Sequence, residues 1–147
     1  MSLYIILFGM SYVLLAVGLF FLNLYLFEKI TPFDVRNEIF KTQKKALGYI
    51  IRGQLLGQGI MMGMLIYFLG VAYDYVFSLD KYITSLVDII VFGLTGIVLF
   101  QLSLYIFSKV MPFEKEIITE NNESLGIIIE GFLIAMAIII SVSLYSY

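Results

Sequence analysis

ALGYIIRG, residues 46–53, returns 78 positions later as SLGIIIEG, residues 124–131, with five of the eight positions identical. Each copy opens a long apolar segment. Where such a segment should carry no charge, the first copy has Arg52 and the second Glu130. A second match lies upstream: LNLYLFEKITPFD at 22–34 aligns with LSLYIFSKVMPFE at 102–114, seven of thirteen residues being identical at an offset of 80. The pattern predicts a duplicated two-helix unit, repeat 1 at about 1–72 and repeat 2 at about 83–147, within a single membrane domain.

Composition sets the class. The 147 residues are 61% hydrophobic and 14% charged, with a mean hydropathy of +1.00. A soluble domain is about half apolar and a quarter charged. Four apolar runs, 4–27, 47–71, 83–107 and 125–145, each hold 21 to 25 residues. At roughly 1.5 Å per residue such helices reach about 30–38 Å, enough to cross a hydrocarbon core of about 30 Å. The expected fold is all-α and integral to the membrane, with four transmembrane helices as two tandem parallel two-helix repeats. Two crossings per unit leave the copies pointing the same way, so Arg52 and Glu130 are expected at one depth.

The first run is too long for a signal-peptide core and lacks a basic segment before it, so it is expected to stay attached. The chain has no Cys and no His, which removes disulfides and the common zinc, haem and thiol-nucleophile sites. No metal, cofactor or catalytic residue is expected, and no enzymatic activity. The net charge of −2 and the absence of a basic tail argue against nucleic acid as a partner.

Orientation follows from the cations. The connections 28–45 and 108–124 together carry seven Lys and Arg residues, against Lys81 alone on the other face. Both connections are therefore expected in the cytoplasm and both termini outside. Tyr73, Tyr75, Phe77, Tyr82, Tyr145 and Tyr147 then form an outer aromatic belt, and Tyr25, Phe27, Phe33, Phe107 and Phe113 an inner one. Pro32 ends the first helix and suits the first position of a new one, with Thr31 and Asp34 as a capping box. After Pro32 and after Pro112, apolar residues recur among charged ones, among them Val35, Ile39 and Phe40, then Phe113, Ile117 and Ile118. Each connection is expected to hold a short cytoplasmic amphipathic helix. The first connection has five basic and three acidic residues and the second two and four, so the two attract weakly.

Small residues mark the packed centre. Gly53 and Gly57 form one GxxxG, Gly59 and Gly63 another, and Gly131 and Ala135 continue the pattern in the second copy. In lipid, helices associate through close backbone approach, so these positions are the candidate helix-packing set. The candidate intramembrane polar cluster is Arg52, Gln54, Gln58 and Glu130. Glu130 has too short a stem to reach the surface and needs a partner or a proton. Three readings of the charged pair are open: a structural lock on helix register, the lining of an ion or proton path, or partners in a neighbouring protomer with one group otherwise facing water. Asp88, near the outer interface, is a weaker candidate, and Asn23, Gln101 and Ser103 are expected as packing polar groups.

At Lys29–Pro32, at the run from Gly53 to Gly57 and in the second copy, the chain resembles the YjfL-like inner-membrane proteins, domain-of-unknown-function family 350, over almost its whole length. The resemblance implies a bacterial inner-membrane protein with four crossings and brings no catalytic residues. The chain departs from the family pattern in carrying Arg52 and Glu130 where small or polar residues are typical, and in lacking the Asn and alanine run that open the family's second helices. The expected function is an oligomeric membrane scaffold in envelope maintenance, with the bilayer and copies of itself as partners and a cytoplasmic protein docking on 31–45 and 111–123. The alternative is an ion channel or proton-coupled transporter using the Arg–Glu pair.

Overall fold

The structure, a computed structural model, describes residues 3–72 and 78–145. Among these, six helices follow one another: α1 (Leu3–Ile30), α2 (Val35–Phe40), α3 (Lys45–Ala72), α4 (Leu79–Val110), α5 (Glu114–Ile118) and α6 (Glu123–Tyr145). The four long ones are each long and apolar enough to cross a membrane, and their lengths exceed the apolar runs because a polar turn is added at most ends. The expected aromatic positions Tyr73, Tyr75, Phe77 and Tyr147 lie outside the described residues.

The centre is α3 against α6, by far the most extensive helix pairing, with α4 covering it and α1 leaning on α4 and α3. Small residues explain the closeness. A Cβ added at Gly53 would lie 2.9 Å from the Glu130 Cα, and one added at Gly126 would lie 2.5 Å from the Ala46 carbonyl oxygen. Backbones that near leave no room for a side chain, and dispersion over the shared surface replaces the hydrophobic drive absent in lipid. Leu47, Ile50, Met61 and Leu65 of α3 and Ile129 and Leu133 of α6 are all essentially inaccessible. By contrast α1 buries only Leu19, Asn23 and Phe27 among its described side chains, and leaves Met10, Val13, Leu14 and Phe21 exposed.

The turns into α3 and α6 share one geometry. Gln43 has φ of 53° and Asn121 φ of 50°, and the amides of Lys44 and Asn122 reach back to the carbonyls of Glu38 and Glu116, six residues earlier. This is the wrap that closes a helix C-terminus with one left-handed residue, a conformation Asn tolerates better than Gln. Asn121 also accepts the Ala46 amide at 3.0 Å, and Lys45 pairs with Glu123 at 3.7 Å. The starts of α3 and α6 are thus tied side by side.

Two local expectations change. The cap of α2 is Asp34, which accepts from the Asn37 amide at 3.0 Å. The Thr31 hydroxyl instead donates back to the carbonyls of Phe27 and Glu28, so just past the end of α1 it serves that helix and not α2, and Pro32 precedes α2 rather than opening it. The belts are also less simple than expected. Tyr145 is buried and donates to the Phe92 carbonyl, while Phe27 and Phe113 belong to the core and Phe40 is exposed. Tyr82 donates to Ser11 at 2.7 Å and its ring stacks on Phe8, pinning α1 to α4.

Candidate functional site

The two intramembrane charges meet within one chain. Arg52 Nε donates to Glu130 Oε1 at 2.5 Å and Nη2 to Oε2 at 2.6 Å, a two-pronged fork on a carboxylate. Arg52 follows Lys45 by seven positions, about 10 Å along the helix. The pair is lopsided. The Arg52 side chain is 57% exposed and that of Glu130 only 8%, because Glu130 lies on the face of α6 turned to α3 whereas Arg52 reaches it from α3's flank. The guanidinium also lies over the Tyr49 ring, 4.9 Å from its centre. The fork joins α3 to α6 within one chain.

Gln54 and Gln58 do not join that pair. Gln54 faces inward, where its Oε1 accepts from Asn23 Nδ2 at 3.1 Å and from Gln101 Nε2 at 2.9 Å. Gln101 Nε2 also donates to Asn23 Oδ1 at 2.7 Å. Three helices, α1, α3 and α4, are thereby stitched by one amide cluster, buried at every member. Gln58 is 0% exposed, and its amide meets no hydrogen-bond partner among the described residues. The expected four-residue polar cluster is therefore two features: a charged pair on the α3–α6 seam and a neutral amide cluster between α1, α3 and α4. The physical reason is helical phase, since residues 52 and 54 point about 200° apart around α3.

The same phase divides the packing set. Gly53 and Gly57 face the seam, where a Cβ at Gly57 would lie 2.6 Å from the Phe100 ring and 3.3 Å from the Ala137 Cβ. A Cβ added at Gly59, Gly63 or Gly131 would meet nothing within 4 Å, and Ala135 is exposed. These four expected contacts are absent among the described residues: Gly59 stands about 200° round the helix from Gly57, and α6 turns Glu130, Leu133 and Ala137 inward in place of Gly131 and Ala135.

Equivalent glycines thus behave oppositely. Gly53 is packed and its counterpart Gly131 open; Gly126 is packed and its counterpart Gly48 open. The two helices meet through different faces. From the sequence, Asn23 and Gln101 are expected only as packing groups; they are not repeat equivalents, since the offset of 80 in this segment pairs Asn23 with Ser103. Among the described residues no group of three His, Cys, Asp or Glu could hold a metal ion.

These features define a class: a multi-pass helical membrane protein, with Arg52 and Glu130 paired across α3 and α6 and Asn23, Gln54 and Gln101 bonded across α1, α3 and α4. The profile of one family, Domain of Unknown Function (DUF350), matches residues 3–144. The chain belongs to that family. No curated protein and no solved structure matches it.

Proposed function

We propose that the protein is a membrane scaffold that assembles with copies of itself, built as two tandem two-helix repeats. The observation that carries this is the opposite use of equivalent glycines. In the first repeat the face of Ala46, Gly53 and Gly57 is covered; in the second the covered face is that of Gly126, Glu130, Leu133 and Ala137. Most of the repeat equivalents of those covered faces are left open: Gly48, Arg52 and Gly59 on α3, where Leu55 is half-buried, and Ser124, Gly131 and Ala135 on α6. The open face of α6 in one protomer matches the open face of α3 in the next by the rule that already joins α3 to α6. Such a head-to-tail contact closes into a ring when the rotation permits. It would also cover Arg52, whose side chain otherwise stays 57% exposed inside a spanning helix.

In this reading the connections face the cytoplasm of a bacterial inner membrane, with α2 and α5 as interfacial helices. Val35 and Ile117 turn inward and Phe40 toward the lipid boundary. Segments 31–45 and 111–123 offer a cytoplasmic protein its docking surface, and the scaffold serves envelope maintenance without catalysis. A transport reading draws on the buried amide cluster, yet no hydrogen bond joins that cluster to Arg52 or Glu130 among the described residues. The test is oligomeric state and flux in the same proteoliposomes. Assemblies larger than a monomer with no ion or proton flux are expected. A monomer at every lipid dilution overturns the scaffold, and flux abolished by Glu130→Gln replaces it with the transporter.

A further inference from the structure

At the end of the bundle that carries α2 and α5, the turn after α1 and the end of α4 enclose a crevice of about 280 Å³. Its floor and walls are apolar, with Leu104 and Phe113 buried beneath it and Pro32 at its side. Its polar lining has an unusual balance. Lys109 and Glu114 both border it, yet neither belongs to an ion pair among the described residues, unlike Arg36 with Glu28 or Lys45 with Glu123. The Lys109 ammonium rests instead over the Tyr105 ring, 5.2 Å from its centre, an orientation that leaves its protons to be shared.

Two of the hydroxyls lining the crevice, those of Ser108 and Thr31, are already committed as donors, while the third, on Tyr105, belongs to the ring beneath the Lys109 ammonium. Ser108 gives its proton to the Tyr105 carbonyl at 2.7 Å and Thr31 gives its own to α1 carbonyls. Toward the crevice both are acceptors. The lining therefore offers one cationic donor, Lys109, a phenol on Tyr105 that can donate or accept, and a set of acceptors, Glu114, Ser108 and Thr31, above an apolar floor. The complement is a molecule with an anion, a cation rich in N–H donors, and a hydrocarbon body.

We propose that this crevice binds the headgroup of a phospholipid bearing a primary ammonium, phosphatidylethanolamine. Its phosphate meets Lys109 and its ammonium meets Glu114 and the two hydroxyls, while the glycerol and upper chains lie on the apolar wall. A choline headgroup has no N–H to give the acceptors. A glycerol headgroup brings net negative charge beside Glu114 with no ammonium to balance it. The site stands at the last turn of α4, where an interfacial Tyr–Lys pair belongs. It depends on the chain spanning a bilayer and not on self-assembly.

The experiment titrates the full-length protein in detergent with dioleoyl phosphatidylethanolamine, phosphatidylcholine or phosphatidylglycerol, reading bound lipid by native mass spectrometry. Soluble O-phosphoethanolamine serves as a competitor. Phosphatidylethanolamine is expected to be held about tenfold more tightly than either other lipid, the worth of one charge-assisted hydrogen bond. Lys109→Ala should weaken it about tenfold, and Glu114→Gln should abolish its advantage over phosphatidylcholine. Lys29→Ala, which removes the equivalent cation over Tyr25 outside this crevice, should change nothing, and it controls for a general loss of surface charge. Equal retention of the three lipids, indifference to both crevice substitutions, or competition by O-phosphoethanolamine at the lipid's own concentration overturns the proposal.

Discussion

Gly126→Ala and Gly48→Ala are the same change at matching positions of the two LG dipeptides, and they should have opposite effects. A Cβ at Gly126 would sit 2.5 Å from the Ala46 carbonyl oxygen and 3.0 Å from its Cα. Ordinary contact begins near 3.4 Å, and the obstacle is backbone, which cannot rotate away. The helices must part near their starts, loosening the Lys45–Glu123 and Asn121–Ala46 ties as well. Overpacking of this kind costs about 1–3 kcal/mol. At Gly48 nothing lies within 4 Å, so only the helical advantage of Ala over Gly remains, about 0.5–1 kcal/mol in favour. The two variants should therefore differ by roughly 2 kcal/mol or more. Gly53→Ala and Gly131→Ala should differ in the same sense, since a Cβ at Gly53 meets the Glu130 Cα at 2.9 Å and one at Gly131 meets nothing. Reversible unfolding in mixed detergent micelles, at dilutions where the protein is monomeric, reads the difference by circular dichroism. Equal stabilities for Gly48→Ala and Gly126→Ala, within about 0.5 kcal/mol, would refute the account of which faces meet.

Arg52→Leu should destabilise the fold, because Glu130 is then left buried without its partner; Arg52→Lys, which keeps the charge and loses the fork, should cost less in the same unfolding assay. Gln101→Met should lower stability by about 1 kcal/mol by removing the donor shared by Asn23 and Gln54, whereas Gln58→Met, which removes an amide meeting no partner among the described residues, should be neutral or stabilising. Glu116 holds the Glu120 carboxyl above its ordinary range, by a shared hydrogen bond and by like charge. A carboxyl raised in the fold adds stability below its unfolded pKa and loses it as pH rises through the folded value. The connection around α5 should tighten on acidification, with Glu120 titrating above a free glutamate by carbon NMR and returning to the ordinary value in Glu116→Gln.

Hydropathy was sufficient to place the four spanning helices, because 21 to 25 apolar residues in a row have few other stable arrangements. The repeat offset placed Arg52 level with Glu130, and the cost of an unpaired carboxylate in lipid made a partner for Glu130 necessary. Rotational phase was not legible. Gly53 and Gly131 sit in nearly identical local sequence, and their different surroundings come from the way α3 and α6 meet: Gly53 lies against the Glu130 backbone and Leu133 while Gly131 faces away from α3, a difference fixed by tertiary packing rather than by any nearby residue. Asn23 and Gln101 looked like isolated polar residues for the same reason, since each gains meaning only when α1 and α4 bring it to Gln54. At Thr31 the spacing suited a cap, but its hydroxyl lay within reach of its own helix's carbonyls, which a residue ending a helix meets before any later turn.

If both repeats carry the same two adhesive faces and each uses only one inside the chain, the unused pair should join neighbouring protomers at positions the internal seam already specifies. Ala46–Gly126 and Gly57–Ala137 approach closely within the chain; their repeat equivalents are Gly48–Ser124 and Gly59–Ala135. The chain has no cysteine, so single cysteines report without background. Protomers carrying Gly59→Cys, mixed in lipid with protomers carrying Ala135→Cys and oxidised, should form a disulfide dimer in the mixture and none when either variant is alone. Dimers from Gly59→Cys alone would mean a two-fold contact between identical faces, and no dimer in the mixture would mean that the open faces meet only lipid; either result contradicts the head-to-tail scaffold.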